Sequence, residues 1–163
     1  MRPLSILEYK GTSASAGAYA KAERLEEWVH IYLQSDGHNL ELSDGLKLHE
    51  RYFLGPFRMP LAFFSRCCGP EETMRWRIDP AWFEKYVAQL MGAIKNGADL
   101  PPLIVNFADG GFGVSDGNHR LEAYSRLNIK EHFAIVWVTR REELDEFLGK
   151  YAGYFTQAGQ GSP

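Results

Sequence analysis

Residues 101–138 read PPLIVNFADGGFGVSDGNHRLEAYSRLNIKEHFAIVWV, and the order of strands and helices is clearest in this stretch. Residues 100–107 (LPPLIVNF) predict an apolar strand, ADGG predicts a turn, and FGVS (112–115) predicts a second strand antiparallel to the first. Apolar residues at helical spacing then predict a short helix over 121–127. The run FAIVWV (133–138) predicts a buried strand, because it is almost continuously apolar and contains β-branched residues.

Helices are predicted on both sides of this stretch. Asp79 as N-cap and Pro80 at the first helical position begin one that Gly97 ends. Its predicted apolar face comprises Trp82, Tyr86, Val87, Leu90, Met91 and Ile94. Residues 18–34 form an amphipathic helix that either packs on the core or makes a homodimer face. Thr139 and Glu142 have capping-box spacing before a last helix that reaches Tyr151.

The predicted fold class is α+β, with a small mixed sheet covered by helices. Residues 35–45 predict a loop or a minor hairpin, and residues 46–68 predict one or two strands. The Gly/Ser/Ala-rich composition of residues 1–17 predicts a mobile lead-in. A single domain over 18–152 and a flexible tail over 153–163 complete the predicted organisation.

Composition narrows the class of protein. The 163 residues are 45% hydrophobic with a net charge of −3, which fits a folded protein without overall attraction to nucleic acid or acidic membranes. Cys67 and Cys68 are adjacent and are expected to be reduced, partly buried thiols. Without a CxxC pair a thiolate zinc site is not expected, and the scattered histidines lack metal-ligand spacing. No apolar run approaches a membrane span, so a cytoplasmic protein without membrane contact is predicted.

The segment SDGNHR (115–120) is the candidate site, because it lies where a strand ends and a helix begins. The free N–H groups and partial positive charge of a helix N-terminus attract phosphate. Gly117 allows close approach of the backbone to a ligand, Asn118 and His119 add short-range donors, and Arg120 suits two-point phosphate contact. Asp116 could cap the helix, hold a divalent cation or accept a proton from a hydroxyl.

Each of these residues also has a simpler interpretation when it is taken alone. Taken alone, Asp116 is best read as a plain N-cap and His119 as a surface or hydrogen-bonded histidine. Taken together between a strand and a helix, the five residues favour ligand binding. Arg66, Arg75 and Arg77 are individually expected to lie in a solvated charged loop. The four tryptophans are expected in the core rather than on a base-stacking surface.

Residues 75–140 resemble the superfamily of ParB N-terminal (ParB-like nuclease) domains and sulfiredoxins. The resemblance is carried by the proline-led strand, the turn, the strand ending in the Gly-x-x-Arg box of Gly117 to Arg120, the short helix and the strand ending in V-x-V. In this superfamily the box binds the phosphates of a nucleotide, CTP in ParB and ATP in sulfiredoxin. The resemblance therefore implies phosphate binding by Gly117, Asn118, His119 and Arg120. One departure is Asn118, which occupies the region of sulfiredoxin's cysteine, so sulfinic acid repair is not expected.

Three functions follow from the resemblance. The first is binding of ATP, ADP or CTP, with Mg²⁺ held by Asp116, and hydrolysis or transfer of phosphate with Asp116 and His119 as catalytic residues. A small molecule would then serve as phosphate acceptor. The second is a ParB-like nuclease or DNA-associated accessory factor, which the acidic net charge disfavours. The third is a nucleotide-sensing module without turnover.

Overall fold

The computed structural model describes residues 6–159, and the side chains of residues 6–155. Within that range the chain forms a four-stranded sheet, a small two-stranded ribbon and seven α-helices. The helices are α1 (Ser13–Lys21), α2 (Leu25–Gln34), α3 (Leu40–Leu46), α4 (Pro80–Lys95), α5 (Asn118–Arg126), α6 (Arg141–Lys150) and α7 (Ala152–Gly159). The strands are β1 (Tyr52–Pro60), β2 (Cys68–Gly69), β3 (Trp76–Arg77), β4 (Leu103–Ala108), β5 (Gly111–Asp116) and β6 (Glu131–Val138).

The main sheet has the order β1-β6-β4-β5 and is mixed. β4 and β5 form the expected antiparallel hairpin, with Val105 opposite Val114. β4 and β6 run parallel, so the chain between them must cross over, and α5 makes that crossover. β1 completes the sheet by pairing antiparallel with β6. The predicted α+β class with a mixed sheet covered by helices is confirmed.

Alternation along the strands divides the core between the two faces of the sheet. Leu103, Val105 and Phe107 of β4 are fully buried on the face that packs toward α5 and α6. Ile104, between them, is buried on the opposite face with Trp28 and the other apolar residues of α1 and α2. Both faces of β4 are therefore covered, which explains why its sequence is apolar without interruption.

α4 begins as predicted, with Pro80 at its first position and the Asp79 carboxylate accepting a hydrogen bond from the Trp82 N–H at 3.0 Å. Its buried face differs from the prediction. Phe83 and Val87 pack against Ala123 of α5, whereas Trp82 and Tyr86 are 51% and 41% exposed. The prediction that Trp82 and Tyr86 are buried was wrong. Phe83, the residue after Trp82, faces inward in its place.

The tryptophans also divide differently from the prediction. Trp28 is buried and Trp137 is half-buried, in agreement with a core role. Trp76 and Trp82 are exposed, so the expectation that all four lie in the core is wrong for two of them. Both exposed rings belong to the segment between β2 and the first turn of α4.

The N-terminal third contains more helix than predicted. The helix expected over 18–34 is two helices, because the chain turns at Glu23, whose φ is 59°. The lead-in over 1–17 is corrected for residues 13–17, which belong to α1, with Ala16 fully buried. The loop or hairpin expected over 35–45 contains α3, begun by an Asn39 side chain that accepts a hydrogen bond from the Leu42 N–H.

The predicted flexible tail is also corrected in part. Residues 152–159 form α7, and the Phe155 ring stacks on Phe57 of β1 at a centroid distance of 4.4 Å. This aromatic contact explains why the helix docks on the sheet edge. Residues 160–163 of the predicted tail and 1–5 of the predicted lead-in lie outside the described residues.

Candidate functional site

The strand-to-helix turn lies where the sequence places it. β5 ends at Asp116, Gly117 follows with φ of 111°, and α5 begins at Asn118. A Cβ atom at Gly117 would lie 2.6 Å from Leu103 Cδ2 and 2.9 Å from Arg120 Nη2. Glycine is therefore needed here for the left-handed backbone and for close packing against the interior. The predicted close approach of the Gly117 backbone to a ligand stays a prediction.

Arg120 lies beneath the turn and is 8% exposed. Its Nη1 donates a hydrogen bond to the Tyr32 hydroxyl at 2.8 Å, and its Nη2 donates to the Pro102 carbonyl at 2.9 Å. Its Nε is buried with no hydrogen-bond partner among the described residues. Both terminal nitrogens are thus committed to protein acceptors, a geometry that favours a positioning role over direct contact with a phosphate.

Asp116 is the second centre of this network. Its Oδ2 accepts a hydrogen bond from the Tyr32 hydroxyl at 3.1 Å and lies 3.5 Å from Arg120 Nη2. Its Oδ1 accepts from the Asn39 amide at 3.2 Å. The Asp116 side chain is only 12% exposed, and neither oxygen caps α5. The carboxylate is held in one orientation by side chains from α2 and the start of α3.

Tyr32 links the two charged groups and was expected only as an apolar residue of its helix. Burial raises the pKa of Tyr32 to about 12, so its hydroxyl is protonated at neutral pH and can donate to Asp116 while accepting from Arg120. Tyr32 and Asn39 are the residues that sequence reasoning missed. The sequence holds no local signal for them, since 84 and 77 residues separate them from Asp116.

Asn118 is buried at the first position of α5 and faces the segment that carries the cysteines. Its Oδ1 accepts hydrogen bonds from the N–H groups of Cys67 and Cys68 at 2.8 and 3.3 Å. The Cys67 thiol donates to the Val114 carbonyl at 3.2 Å. Burial raises the pKa of Cys68 to about 11, so this thiol is protonated at neutral pH. The two cysteines are free and half-buried, as expected.

His119 lies between α5 and α4. Its ring is 5.1 Å from the Phe83 ring and 5.5 Å from the Tyr86 ring, measured between centroids. Nε2 is buried with no hydrogen-bond partner among the described residues. Burial lowers the pKa of His119, so the ring is neutral at neutral pH. His119 is therefore half-buried, with an Nε2 atom that makes no hydrogen bond to the described residues.

No side chain of residues 6–155 caps the N-terminus of α5. Gly117 occupies the N-cap position and has no side chain, while the Asn118 side chain is directed to the cysteine segment. The first N–H groups of a helix have no partner within it and carry partial positive charge. Among the predicted site residues, the structure brings Asn118 and His119 to this end and places Asp116 and Arg120 beneath it.

Arg66 closes one side of the site. It pairs with Glu71 and with Glu122 of α5, and its Nη1 donates to the Cys68 carbonyl at 3.0 Å. Its guanidinium also lies 5.0 Å from the Phe83 ring centroid. Beyond it, a groove of about 480 Å³ runs along α5 toward Lys130. The expectation of a solvated loop is wrong for Arg66, which is mostly buried by these partners.

Two further findings concern the described part of the chain. No group of three or more His, Cys, Asp and Glu residues there has the arrangement of a metal site. No helix of residues 6–159 is long and apolar enough to cross a membrane.

Comparisons with known proteins returned one kind of match. No protein-family model and no curated protein sequence matches the chain. Among solved structures, sulfiredoxin from Arabidopsis thaliana matches at 24% identity and a TM-score of 0.41. The match covers 60% of this chain and 97% of the sulfiredoxin chain. It is a similarity of structure alone.

Proposed function

We propose that this chain binds ATP, ADP or CTP through its phosphates at the N-terminus of α5, and hydrolyses the nucleotide or transfers its phosphate. The observation that carries the proposal is the uncapped first turn of α5 beside His119, whose buried Nε2 has no partner among the described residues. Uncapped backbone N–H groups stabilise phosphoryl charge, and a neutral imidazole can donate to or accept from a phosphate oxygen.

The residues of the box have different roles in this proposal. Asn118 and His119 belong to the first turn, which meets the phosphates. Arg120 does not contact the phosphates in this proposal. It positions the Tyr32 hydroxyl and, through that hydroxyl, the Asp116 carboxylate. Asp116 Oδ1, whose hydrogen-bond partner among the described residues is the Asn39 amide, is the oxygen that would accept the proton of an attacking water or hydroxyl.

The described residues do not fit a Mg²⁺ ion held by the protein itself. Both oxygens of Asp116 already accept hydrogen bonds, and no group of three or more His, Cys, Asp and Glu residues forms a metal site among the described residues. Mg²⁺ is commonly bound to the phosphates of a nucleotide with few protein ligands. In this proposal any magnesium accompanies the nucleotide, and Asp116 is not its ligand.

Asn118→Asp tests the proposal with almost no change of shape. The new carboxylate retains an oxygen for the Cys67 and Cys68 N–H groups, and an acid in the first turn of a helix is stabilising by about 0.3–1 kcal/mol. The same negative charge repels phosphate. We expect unfolding to occur at an unchanged or higher temperature while affinity for ATP falls at least about tenfold, a loss of about 1.4 kcal/mol.

The measurements are thermal unfolding and calorimetric titration with ATP, ADP and CTP, with and without Mg²⁺, together with phosphate release. Asn96→Asp is the control, because it makes the same charge change at the C-terminal end of α4. If Asn118→Asp does not fold, His119→Gln tests the same site by removing the imidazole without adding a charge. Absence of any nucleotide-dependent shift in the parent protein would refute the proposal, whereas binding without phosphate release would reduce it to nucleotide sensing.

A further inference from the structure

An exposed aromatic surface lies beside the proposed phosphate site. Trp82 and Tyr86 are one helical turn apart on α4 and are 51% and 41% exposed. Their ring centroids are 4.8 Å apart, with an angle of 65° between the planes. Phe83 and Val87 are the buried residues of the helix, and Leu90, Met91 and Ile94 are partly buried beside them. Trp82 and Tyr86, the aromatic surface, are thus not needed to hold α4 in place.

The aromatic surface continues directly into the first turn of α5. The Tyr86 ring is 5.5 Å from His119, and the Trp82 ring is one further contact away. The base and the phosphates of a nucleotide are joined through a single sugar, so one molecule must reach both subsites. Two successive ring contacts, of 5.5 and 4.8 Å between centroids, connect His119 to Trp82 through Tyr86.

The charges around this surface are suited to an anionic aromatic ligand. Lys85 Nζ lies 5.8 Å from the centroid of the Trp82 ring. The neighbouring acid, Glu84, accepts two hydrogen bonds of 2.7 Å from Arg126, and Asp79 caps the helix. The carboxylates of this helix turn are therefore engaged, while the lysine remains beside the exposed ring.

We infer that Trp82 and Tyr86 stack on the base of the nucleotide whose phosphates lie at the N-terminus of α5. The inference rests on the proposed function and adds the base subsite to it. Stacking on a tryptophan does not depend on the identity of the base, because every base has a π-face. The subsite therefore takes purine and pyrimidine nucleotides alike. A protein partner would need about 800 Å² of surface, more than two half-exposed rings provide.

The test compares ATP with inorganic tripolyphosphate, which has the phosphates but lacks a base. In Trp82→Ala we expect the dissociation constant for ATP to rise about 5- to 150-fold, the range for loss of one stacked base, and that for tripolyphosphate to stay unchanged. Trp82→Phe keeps a ring and should restore most of the affinity. Thermal unfolding should differ little, since Trp82 is exposed.

Trp76→Ala is the matched control. Trp76 is 59% exposed and has Arg75 5.6 Å from its ring, but among the described residues its ring does not contact His119 or Tyr86. If Trp82→Ala binds ATP as the parent does, or if Trp76→Ala causes the same loss, the base subsite is refuted and phosphate binding stands. If the parent binds neither ATP nor tripolyphosphate, the proposed function and the base subsite are both refuted.

Discussion

At the scale of single residues, the Tyr32 hydroxyl is the group on which the charged network depends. It accepts from Arg120 and donates to Asp116, and all three side chains are shielded from solvent. A buried donor or acceptor that loses its partner costs about 1–3 kcal/mol, and more when it is charged. A single hydroxyl is therefore a hydrogen-bond partner of two buried charges.

Tyr32→Phe should lower the free energy of unfolding by about 2–4 kcal/mol, because it leaves both charged groups without that partner. Chemical denaturation measures the loss. Tyr19→Phe is the control, since Tyr19 is equally buried but its hydroxyl makes no hydrogen bond to another described side chain. That control should change stability by less than about 0.5 kcal/mol. Equal effects of the two variants would contradict the network.

At the scale of secondary-structure elements, α1 is attached by a cap from a distant loop. The Asp99 carboxylate accepts hydrogen bonds from the N–H groups of Ser13 and Ala14 at 3.0 and 3.1 Å. The Ser13 hydroxyl donates to the Leu100 carbonyl at 2.7 Å. These bonds connect the start of α1 to the loop before β4, and so fix a segment whose composition predicted mobility.

Asp99→Ala should expose the first turn of α1, cost about 1 kcal/mol of stability and raise amide hydrogen exchange in residues 13–21. Exchange measured by mass spectrometry locates the effect. Asp145→Ala, which removes only an exposed pair with Arg141, should leave exchange in α1 unchanged. Unchanged α1 exchange in Asp99→Ala would mean that burial of Ala16 and Tyr19 alone holds the helix.

At the scale of the whole molecule, a buried histidine makes stability depend on pH. Burial lowers the pKa of His132 from its ordinary 6.5 to about 4, and its Nε2 shares a hydrogen bond of 2.9 Å with the Tyr124 hydroxyl. The folded state therefore resists a proton that the unfolded chain accepts. Between pH 6.5 and about 4 the unfolded chain binds more protons, so stability falls as pH falls through that window.

The loss attributable to His132 between pH 7 and pH 5 is about 2 kcal/mol. His132→Gln should reduce the pH slope of the unfolding free energy over that range. A smaller slope of the same sign should remain, because burial also lowers the pKa values of His30 and His119. His49→Gln, at an exposed position, is the control and should keep the parent slope. A parent-like slope in His132→Gln would contradict this assignment.

The part of the fold between β4 and β6 could be predicted because its signals are local. A turn between two apolar runs produces the hairpin, and Gly117 marks the start of α5. The candidate site could be predicted only in part. The sequence places Asp116 and Arg120 at the polar turn, but their hydrogen-bond partner Tyr32 looks like any apolar helix residue. Trp82 and Phe83 are adjacent and both aromatic, so periodicity alone could not decide which faces inward.

The Tyr32 hydroxyl and the Asn39 amide, which donate hydrogen bonds to Asp116, belong to the first forty residues. Asp116 itself belongs to the last fifty. A shortened gene encoding only the sheet and its later helices would produce the polar turn without the groups that keep its charges satisfied. The N-terminal helices and the polar turn therefore depend on each other. A chimera that replaces the N-terminal helices with those of another protein would have to provide equivalents of Tyr32 and Asn39.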